Sequence, residues 1–478
     1  DRTAPAIVDE LGELTYHQLD RRSNALARAW SRQGFGPGSV IAVLCRDHRG
    51  VIDTMLASAK LGARLLLMNT GFGATQLADV ARREGVTALV HDAEFTDIVP
   101  ADVPRFLAWS DGPADGPLLA ELIDDTDAAD LPAPRRAGSL VLLTSGTTGT
   151  PKGAPRQIRS PLAAAQFLDR IPLRPAESTY LAAPSFHGTG LSQLILTFAL
   201  GSTAVLCRRF DARATLAGIA AHRCTALVVV PTMLRRIMDL PDEVRAEYDT
   251  SSLRVVFSAG SALGTDLGNR ATAAFGPVIH NLYGSTEVAV ATVATPQDWR
   301  AAPGTVGKPP RGCRVRLYDE AGQPVTGVGR QGRIFAGSSL AFGGYSGGGH
   351  KEIIDGLLST GDIGHFDGAG RLFVDGRDDD MIVSGGENVF PGEIEELLAA
   401  HGDVIEAAVI GVPDEEFGHR LRAFVVLRDG IAQDADLLRS YVKAHLARYK
   451  VPREVIFLDE LPRNATGKLF RHKLREYV

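Results

Sequence analysis

The sequence predicts an α/β protein of more than one domain, and two observations carry that expectation. From Val40 to about Tyr283, short β-branched runs alternate with longer helical ones, the pattern of βαβ units on largely parallel sheets. The chain is also 478 residues long, more than one hydrophobic core holds; at roughly 150 residues per domain it makes about three units. Composition agrees. With 45% hydrophobic and 23% charged residues the chain reads as globular, and its 51 Gly and 26 Pro follow no period, which excludes collagen-like and disordered chains. Lys plus Arg number 51 against 57 Asp plus Glu, a net charge of −6, so no basic field exists to hold nucleic acid.

In chain order, VIAVLC reads as a strand, VIDTMLASAKLGA as a helix, RLLLMN as a strand, ATQLADVARREG as a helix and TALVHD as a strand. The segment from Asp111 to Asp130 has seven acidic residues and no basic one, and reads as a solvated loop. The rhythm resumes at SLVLLTSG, STYLAAP, TALVVVP, LRVVFSAG and VIHNLYG. Ligands of open α/β sheets sit beyond such strand ends. Gly188 to Cys207 is uncharged over a bilayer-spanning length, but Gln193, Gly201, Ser202 and Thr203 interrupt it, so a buried helix followed by a buried strand is expected. From Pro303 to Arg377 the turn signals DEAGQ and FDGAGR separate short strands, which predicts a β subdomain. After Asp380 come a strand, a Gly-Gly turn and a helix starting at Pro391. Cys45, Cys207, Cys224 and Cys313 lie far apart, with no C-x-x-C and no histidine companion at metal-ligand spacing. No structural zinc and a reducing compartment are expected. The opening DRTAPAIVDE carries no basic-then-apolar leader, and the expected location is cytoplasmic.

The sharpest motif is LLTSGTTGTPKGAPR, residues 142–156, where an apolar strand runs into Thr144, Ser145, Gly146, Thr147, Thr148 and Gly149 and then Lys152. Small hydroxyl residues and glycines let backbone N–H groups approach an anion, and a lysine adds charge, so a polyphosphate cradle fits. It is no Walker A loop, because Pro151 and Gly153 stand where that pattern needs Gly and Ser or Thr. An ordinary turn is the alternative, but only eight of the 51 basic residues are lysines and one lies here. YGSTE at 283–287 sets the hydroxyl of Thr286 beside the carboxylate of Glu287 at a strand end. Beside a triphosphate such a carboxylate needs a divalent cation, and Mg²⁺ prefers carboxylate, phosphate and water oxygens; a helix cap is the alternative. Asp362 of STGD sits between short strands, where a turn role is the alternative. His187 follows an aromatic in APSFHGTG, where packing is the alternative. Lys468 lies in a Gly-containing turn before a basic tail of Arg471, His472, Lys473 and Arg475.

Taken together, TSGTTGTPKG, YGSTE, STGD, GRDDDMIVSGGENVFPGEIE and NATGK resemble, in order and spacing, the signatures of the adenylate-forming superfamily, and within it the acyl-CoA synthetase branch. The resemblance implies an N-terminal adenylation domain over residues 1–377, made of two packed α/β sheets plus a β subdomain at about 303–377. It implies a hinge at 378–380, centred on Asp379, and a small mobile C-terminal α/β domain over 381–478. The implied small molecules are ATP, Mg²⁺, coenzyme A and a carboxylic acid. Residues Thr144 to Gly149 with Lys152 would hold the ATP phosphates, Glu287 the Mg²⁺, and Thr286 the α-phosphate. Gly260, Ser261, Ala262, Asn281, Tyr283 and Gly284 would line the adenine, while Asp362 would accept the ribose hydroxyls and Arg377 would make a second ribose or phosphate contact. Lys468 would reach the α-phosphate and the attacking carboxylate. His187 would gate an acyl pocket shared with Val230 to Leu234 and Val288 to Thr292. Gly385, Gly386 and Glu387 would line the path of the CoA thiol arm.

The implied reaction makes an acyl adenylate and pyrophosphate, then passes the acyl group to CoA with release of AMP. A fatty acid is expected, from the likeness of SGGENVFPGEIE and PKGAPR to actinobacterial fatty-acyl members. A homodimer fits, and neither nucleic acid nor an integral membrane segment is expected. Arg333 stands where many members carry Glu, and Pro155-Arg156 where others carry Ser-His. Two other readings are an acyl-AMP ligase loading a carrier protein, and a nucleotide-binding homologue without turnover. The short 343–360 region speaks against the fatty acyl-AMP ligase form of the first. Lys468, Glu287 and Asp362 together speak against the second.

Overall fold

The computed structural model describes residues 2–113, 118–144, 152–156, 167–342, 344, 351–378, 381–384, 387–414, 418–446, 448–463 and 469–477. Of the expected site, Ser145, Gly146, Thr147, Thr148, Gly149, Asp379, Gly385, Gly386 and Lys468 lie outside the described residues.

A six-stranded sheet is built from β3 (Val40–Leu44), β4 (Arg64–Leu67), β5 (Ala88–Asp92), β6 (Arg105–Trp109), β7 (Leu140–Thr144) and β8 (Lys152–Arg156), in the order β6-β5-β3-β4-β7-β8. All its pairs are parallel except β7–β8. β3 and β5 are buried along their whole length, as continuous apolar runs in a sheet covered on both faces must be. β8 is the last strand on its side and contains Pro155, which an edge tolerates because a proline has no N–H for a second neighbour.

The second sheet has eight strands: β1 (Pro5–Asp9), β2 (Gly12–Thr15), β9 (Ser178–Leu181), β10 (Thr203–Leu206), β11 (Ala226–Val229), β12 (Val255–Ser258), β13 (Ile279–Tyr283) and β14 (Thr292–Ala294). Its order is β14-β13-β12-β11-β9-β10-β1-β2, antiparallel only at its two ends. The β1–β2 hairpin precedes the stretch where the alternation is legible, yet it completes this sheet.

Helices Arg49–Leu61 and Gly188–Ala199 lie between the sheets and feed both cores. Ile52, Leu194 and Leu196 pack with Leu181, Val228 and Phe257 on the eight-stranded side. Val51, Ala57, Leu61 and Leu191 pack with Trp30, Ile41, Val43 and Leu142 on the six-stranded side. The expected pair of packed sheets is therefore present, joined by a shared helical layer. Two buried aspartates fasten it to its surroundings: Asp53 accepts from Arg22 Nη2 at 2.7 Å, and Asp9 accepts from Arg49 Nη2 at 2.5 Å.

A third, antiparallel sheet holds β15 (Arg314–Tyr318), β16 (Gly332–Gly337), β17 (Ile353–Ile354), β18 (Leu357–Phe366) and β19 (Leu372–Arg377). Its DEAGQ and FDGAGR turns use Gly322 and Gly370 at φ +74° and +73°, as the turn signals require. Beyond it, β20 (Ile382–Ser384) and β21 (Glu387–Val389) pair as a hairpin, and a helix runs Pro391–Ala399 with proline in its first turn. β22 (Val404–Asp414), β23 (Gly418–Leu427) and β24 (Glu454–Phe457) form a last sheet, packed with that helix through Ile394, Leu398, Val409 and Val425.

The acidic segment is not a plain solvated loop. Leu119–Asp124 is helical and buries Leu119 and Ile123, while Asp111 pairs with Arg208 at 2.5 Å. Gly188 to Cys207 is a helix and a strand as expected, and among the described residues no helix is long and apolar enough to cross a membrane.

Candidate active site

The carboxyl ends of β9, β11, β12 and β13 open on one cleft of about 3270 Å³, whose far wall comes from β18, β19 and the Pro391–Ala399 helix. The described members of the expected set converge on it: His187, Gly260, Ser261, Ala262, Asn281, Tyr283, Gly284, Thr286, Glu287, Asp362 and Arg377 all line the cleft. They come from segments as far apart in sequence as 187 and 377.

β13 delivers YGSTE. Tyr283 ends the strand, and the chain then turns tightly, with Ala289 N–H on Ser285 O at 2.8 Å and Ala291 N–H on Tyr283 O at 2.9 Å. Gly284 is required there, since a Cβ would lie 2.2 Å from the Ala289 carbonyl oxygen. The turn leaves Thr286 partly exposed and Glu287 at 8% exposure, both on the cleft. Gly260, just beyond β12, adopts φ +98°, the left-handed region that glycine enters without strain.

Asp362 does not sit in a turn between strands: it lies within β18, opposite Arg377 of β19. Its carboxylate accepts from the Tyr283 hydroxyl at 2.5 Å and from Arg377 Nη1 at 3.2 Å. Burial, followed by the neighbouring Asp362 charge, pushes the Tyr283 phenol far above its usual range, so it stays a donor. Three residues from two sheets thus form one preorganised cluster on the cleft wall.

His187 caps the N-terminus of helix Gly188–Ala199 by position, without a side-chain cap bond. Its ring lies 4.4 Å from that of Phe186, and its Nε2 is buried without a hydrogen-bond partner among the described residues. Burial pushes its pKa down to about 4, so the imidazole is neutral at neutral pH. Of the expected pocket walls, Val230, Pro231, Thr232 and Met233 line the cleft. The Val288 to Thr292 wall is corrected: only Ala289 lines the cleft, while Val288, Val290 and Ala291 are fully buried in hydrophobic cores.

Thr144 and Lys152 are cross-strand partners on the antiparallel strands β7 and β8. Glu387 starts β21. Arg333 is tied to Glu352 and to Asp378, whose Oδ2 accepts from its Nε at 3.2 Å.

Contrary to expectation, one cysteine has a histidine companion: Cys45, His48 and Asp92 meet in the buried interior. Their bonding is complete without a metal. Gly50 N–H donates to His48 Nδ1 at 3.0 Å, which leaves the proton on Nε2, and Nε2 faces Asp92 Oδ1 at 2.8 Å. Neither ring nitrogen offers a free lone pair.

A cleft at the strand ends of a parallel sheet, carrying a Tyr–Asp–Arg cluster, a hydroxyl–carboxylate pair and an apolar recess, is the candidate active site of an enzyme. The AMP-binding enzyme family profile matches residues 1–346 and the AMP-binding enzyme C-terminal domain profile matches residues 393–468. The chain belongs to the AMP-binding enzyme family, in the adenylate-forming superfamily, and is an AMP-forming acid–thiol ligase. It is 31% identical over 497 residues to the fatty acid--[acyl-carrier-protein] ligase ScoC of Streptomyces coeruleorubidus, covering 99% of this chain and 93% of that one. It is 33% identical over 470 residues to a feruloyl-CoA synthase of Amycolatopsis sp, covering 97% and 93%. Among solved structures, ATP-bound MatB from Rhodopseudomonas palustris superposes with a TM-score of 0.89 at 28% identity, covering 100% and 96%.

Proposed function

We propose that the chain activates an apolar carboxylic acid with MgATP and passes the acyl group to coenzyme A. The observation that supports this best is the Tyr283–Asp362–Arg377 cluster facing the same cleft as Thr286, Glu287 and the recess at His187. A carboxylate does not react with a thiol; attack on the α-phosphorus turns one of its oxygens into part of a leaving group. In this reading Asp362, already held by two donors, accepts from the ribose hydroxyls. Asn281, Gly284 and the Gly260 to Ala262 backbone bound the adenine, and Thr286 donates to the α-phosphate. Glu287 supplies the hard oxygen that fits Mg²⁺, which when bound offsets triphosphate charge. Neutral His187 contributes a hydrogen bond and shape rather than charge at the acid. Residues 1–377, 378–380 and 381–478 are taken as adenylation domain, hinge and mobile domain, with Lys468 arriving for the first half-reaction and Gly385, Gly386 and Glu387 for the second.

The recess of Phe186, Leu191, Val230 and Met233 favours apolar acids, fatty or aromatic. Acid-dependent exchange of pyrophosphate into ATP, run with hexanoate, decanoate, benzoate and ferulate, tests the reading. An active acid should then give a thioester with CoA. Exchange with none of them refutes the apolar acid, and transfer only to an acyl-carrier protein refutes CoA. Glu287→Gln should lower exchange by about 10²-fold at saturating Mg²⁺ with an unchanged melting temperature, the scale of losing one preorganised electrostatic contact.

A further inference from the structure

The wall that presents His187 is held by a buried carboxylate that the reaction leaves unused. Beyond β3 the chain brings Asp47, 8% exposed, against the segment 183–187. Asp47 Oδ2 accepts from the Ser185 N–H at 2.9 Å, and Oδ1 accepts from the Ser185 hydroxyl. Ser185 is itself 5% exposed. The two bonds run between the two large sheets, from the end of β3 to the end of β9.

The other side of the same segment is pinned by close approach. A Cβ at Gly190 would lie 2.3 Å from the carbonyl oxygens of both Ala183 and Pro184. Between these two anchors stand Phe186 and His187. His187 N–H bonds Pro184 O at 3.2 Å, but its ring makes no side-chain hydrogen bond among the described residues. The direction of its ring therefore follows the backbone at Ser185. A buried carboxylate without a cation costs free energy, since its charge loses water and gains only hydrogen bonds. The titratable groups around Asp47 are His48 on its own loop, Cys45 at the end of β3, Asp92 at the end of β5 and Cys207 beyond β10. His48, the only basic one among the described residues, is committed to Asp92 and Gly50. An arrangement this costly fixes one backbone geometry.

We propose that Asp47 is a positioning residue for the acid: through Ser185 it sets the Phe186–His187 edge of the acyl recess. The proposal rests on His187 belonging to that recess, as in the function proposed above. The test uses Ser185→Ala, Asp47→Leu, Asp47→Asn and His187→Ala in the full chain. KM for the best acid of the panel, KM for MgATP and kcat are measured by pyrophosphate exchange, with melting temperature alongside. Ser185→Ala and Asp47→Leu should raise the acid KM about five- to tenfold and leave the MgATP KM within about twofold, since only one substrate's contacts move. Asp47→Asn, whose amide oxygen still accepts from Ser185 N–H and whose amide group can donate to the hydroxyl, should restore the acid KM to within about twofold of wild type. Ser185→Ala keeps the test open even if Asp47→Leu fails to fold. Acid and MgATP KM rising together, or a lower melting temperature with both KM values unchanged, would overturn the positioning role. A His187→Ala variant with unchanged acid KM removes His187 from the recess and the proposal with it. A raised acid KM in His187→Ala, with none in Ser185→Ala or Asp47→Leu, leaves His187 in place and refutes Asp47 alone.

Discussion

Asp362 is half-buried and Asp47 buried, and the two aspartates sit in opposite electrostatic surroundings. Asp362 has an arginine and a phenol on it, and Asp362→Asn would leave at most one of those donors well placed. We expect the KM for MgATP to rise by about tenfold or more with the acid KM little changed, measured by exchange kinetics. Asp47 has only neutral donors, and burial pushes its pKa up to about 6 from 3.8 despite the Ser185 hydrogen bonds. A carboxyl whose pKa is raised on folding favours the fold fully below pH 3.8 and loses that advantage as pH climbs to 6. Above pH 6 the buried anion costs about 2 to 3 kcal/mol, so Asp47→Asn should raise the melting temperature at pH 8 more than at pH 4.5. His187 and His280 run the other way: burial lowers both to about 4, so each withdraws stability as pH falls from 6.5 towards 4. At this scale the sequence marks Thr286, Glu287, Asp362 and Lys468 because their neighbours repeat a known order. It does not mark Asp47 or Ser185, whose meaning lies in an encounter across 138 positions.

Helices and strands were legible where the apolar period was long and clean. β3, β4, β5, β7, β9, β11, β12 and β13 all fall on the apolar runs read from the sequence. The Leu119–Asp124 helix escaped because two apolar positions, Leu119 and Ile123, are outnumbered by carboxylates, yet one turn of helix needs no more to reach the core. Local preference can also mislead inside an element. Gly268 lies in the helix Thr265–Phe275, where alanine is the better helix former by about 1 kcal/mol. A Cβ there would lie 2.1 Å from Trp299 Cζ2, and Trp299 is fixed by a hydrogen bond to Asn269. Gly268→Ala should therefore destabilise, by about 1 to 3 kcal/mol in urea unfolding, because overpacking outweighs propensity.

For the whole molecule, a hydrogen bond between described residues ties together units that the proposed mechanism must separate. The helix Thr265–Phe275 begins after Gly264, which has no capping side chain, and its Thr265 N–H is taken by Glu396 Oε1 at 2.8 Å, from the helix Pro391–Ala399. A carboxylate at a helix N-terminus satisfies an orphan donor and complements the dipole. Alternation of the small domain requires that bond to break, so it favours the arrangement seen here over the other. Glu396→Ala should move the two half-reactions in opposite directions by about two- to fivefold, one measured as pyrophosphate exchange and the other as thioester formation from preformed acyl adenylate. Equal loss of both would show a structural role instead. Motif order suggests a domain order, whereas such cross-unit contacts depend on an orientation that no local pattern encodes.

The outermost strand of the six-stranded sheet has a further consequence, for molecules in a crowd. An exposed strand edge invites a second chain to add itself, hydrogen bond by hydrogen bond. At β8 the invitation is broken, because Pro155 offers no N–H. The Pro155-Arg156 pair therefore leaves an edge on β8 that pairs with β7 but makes a poor template for fibrillar growth.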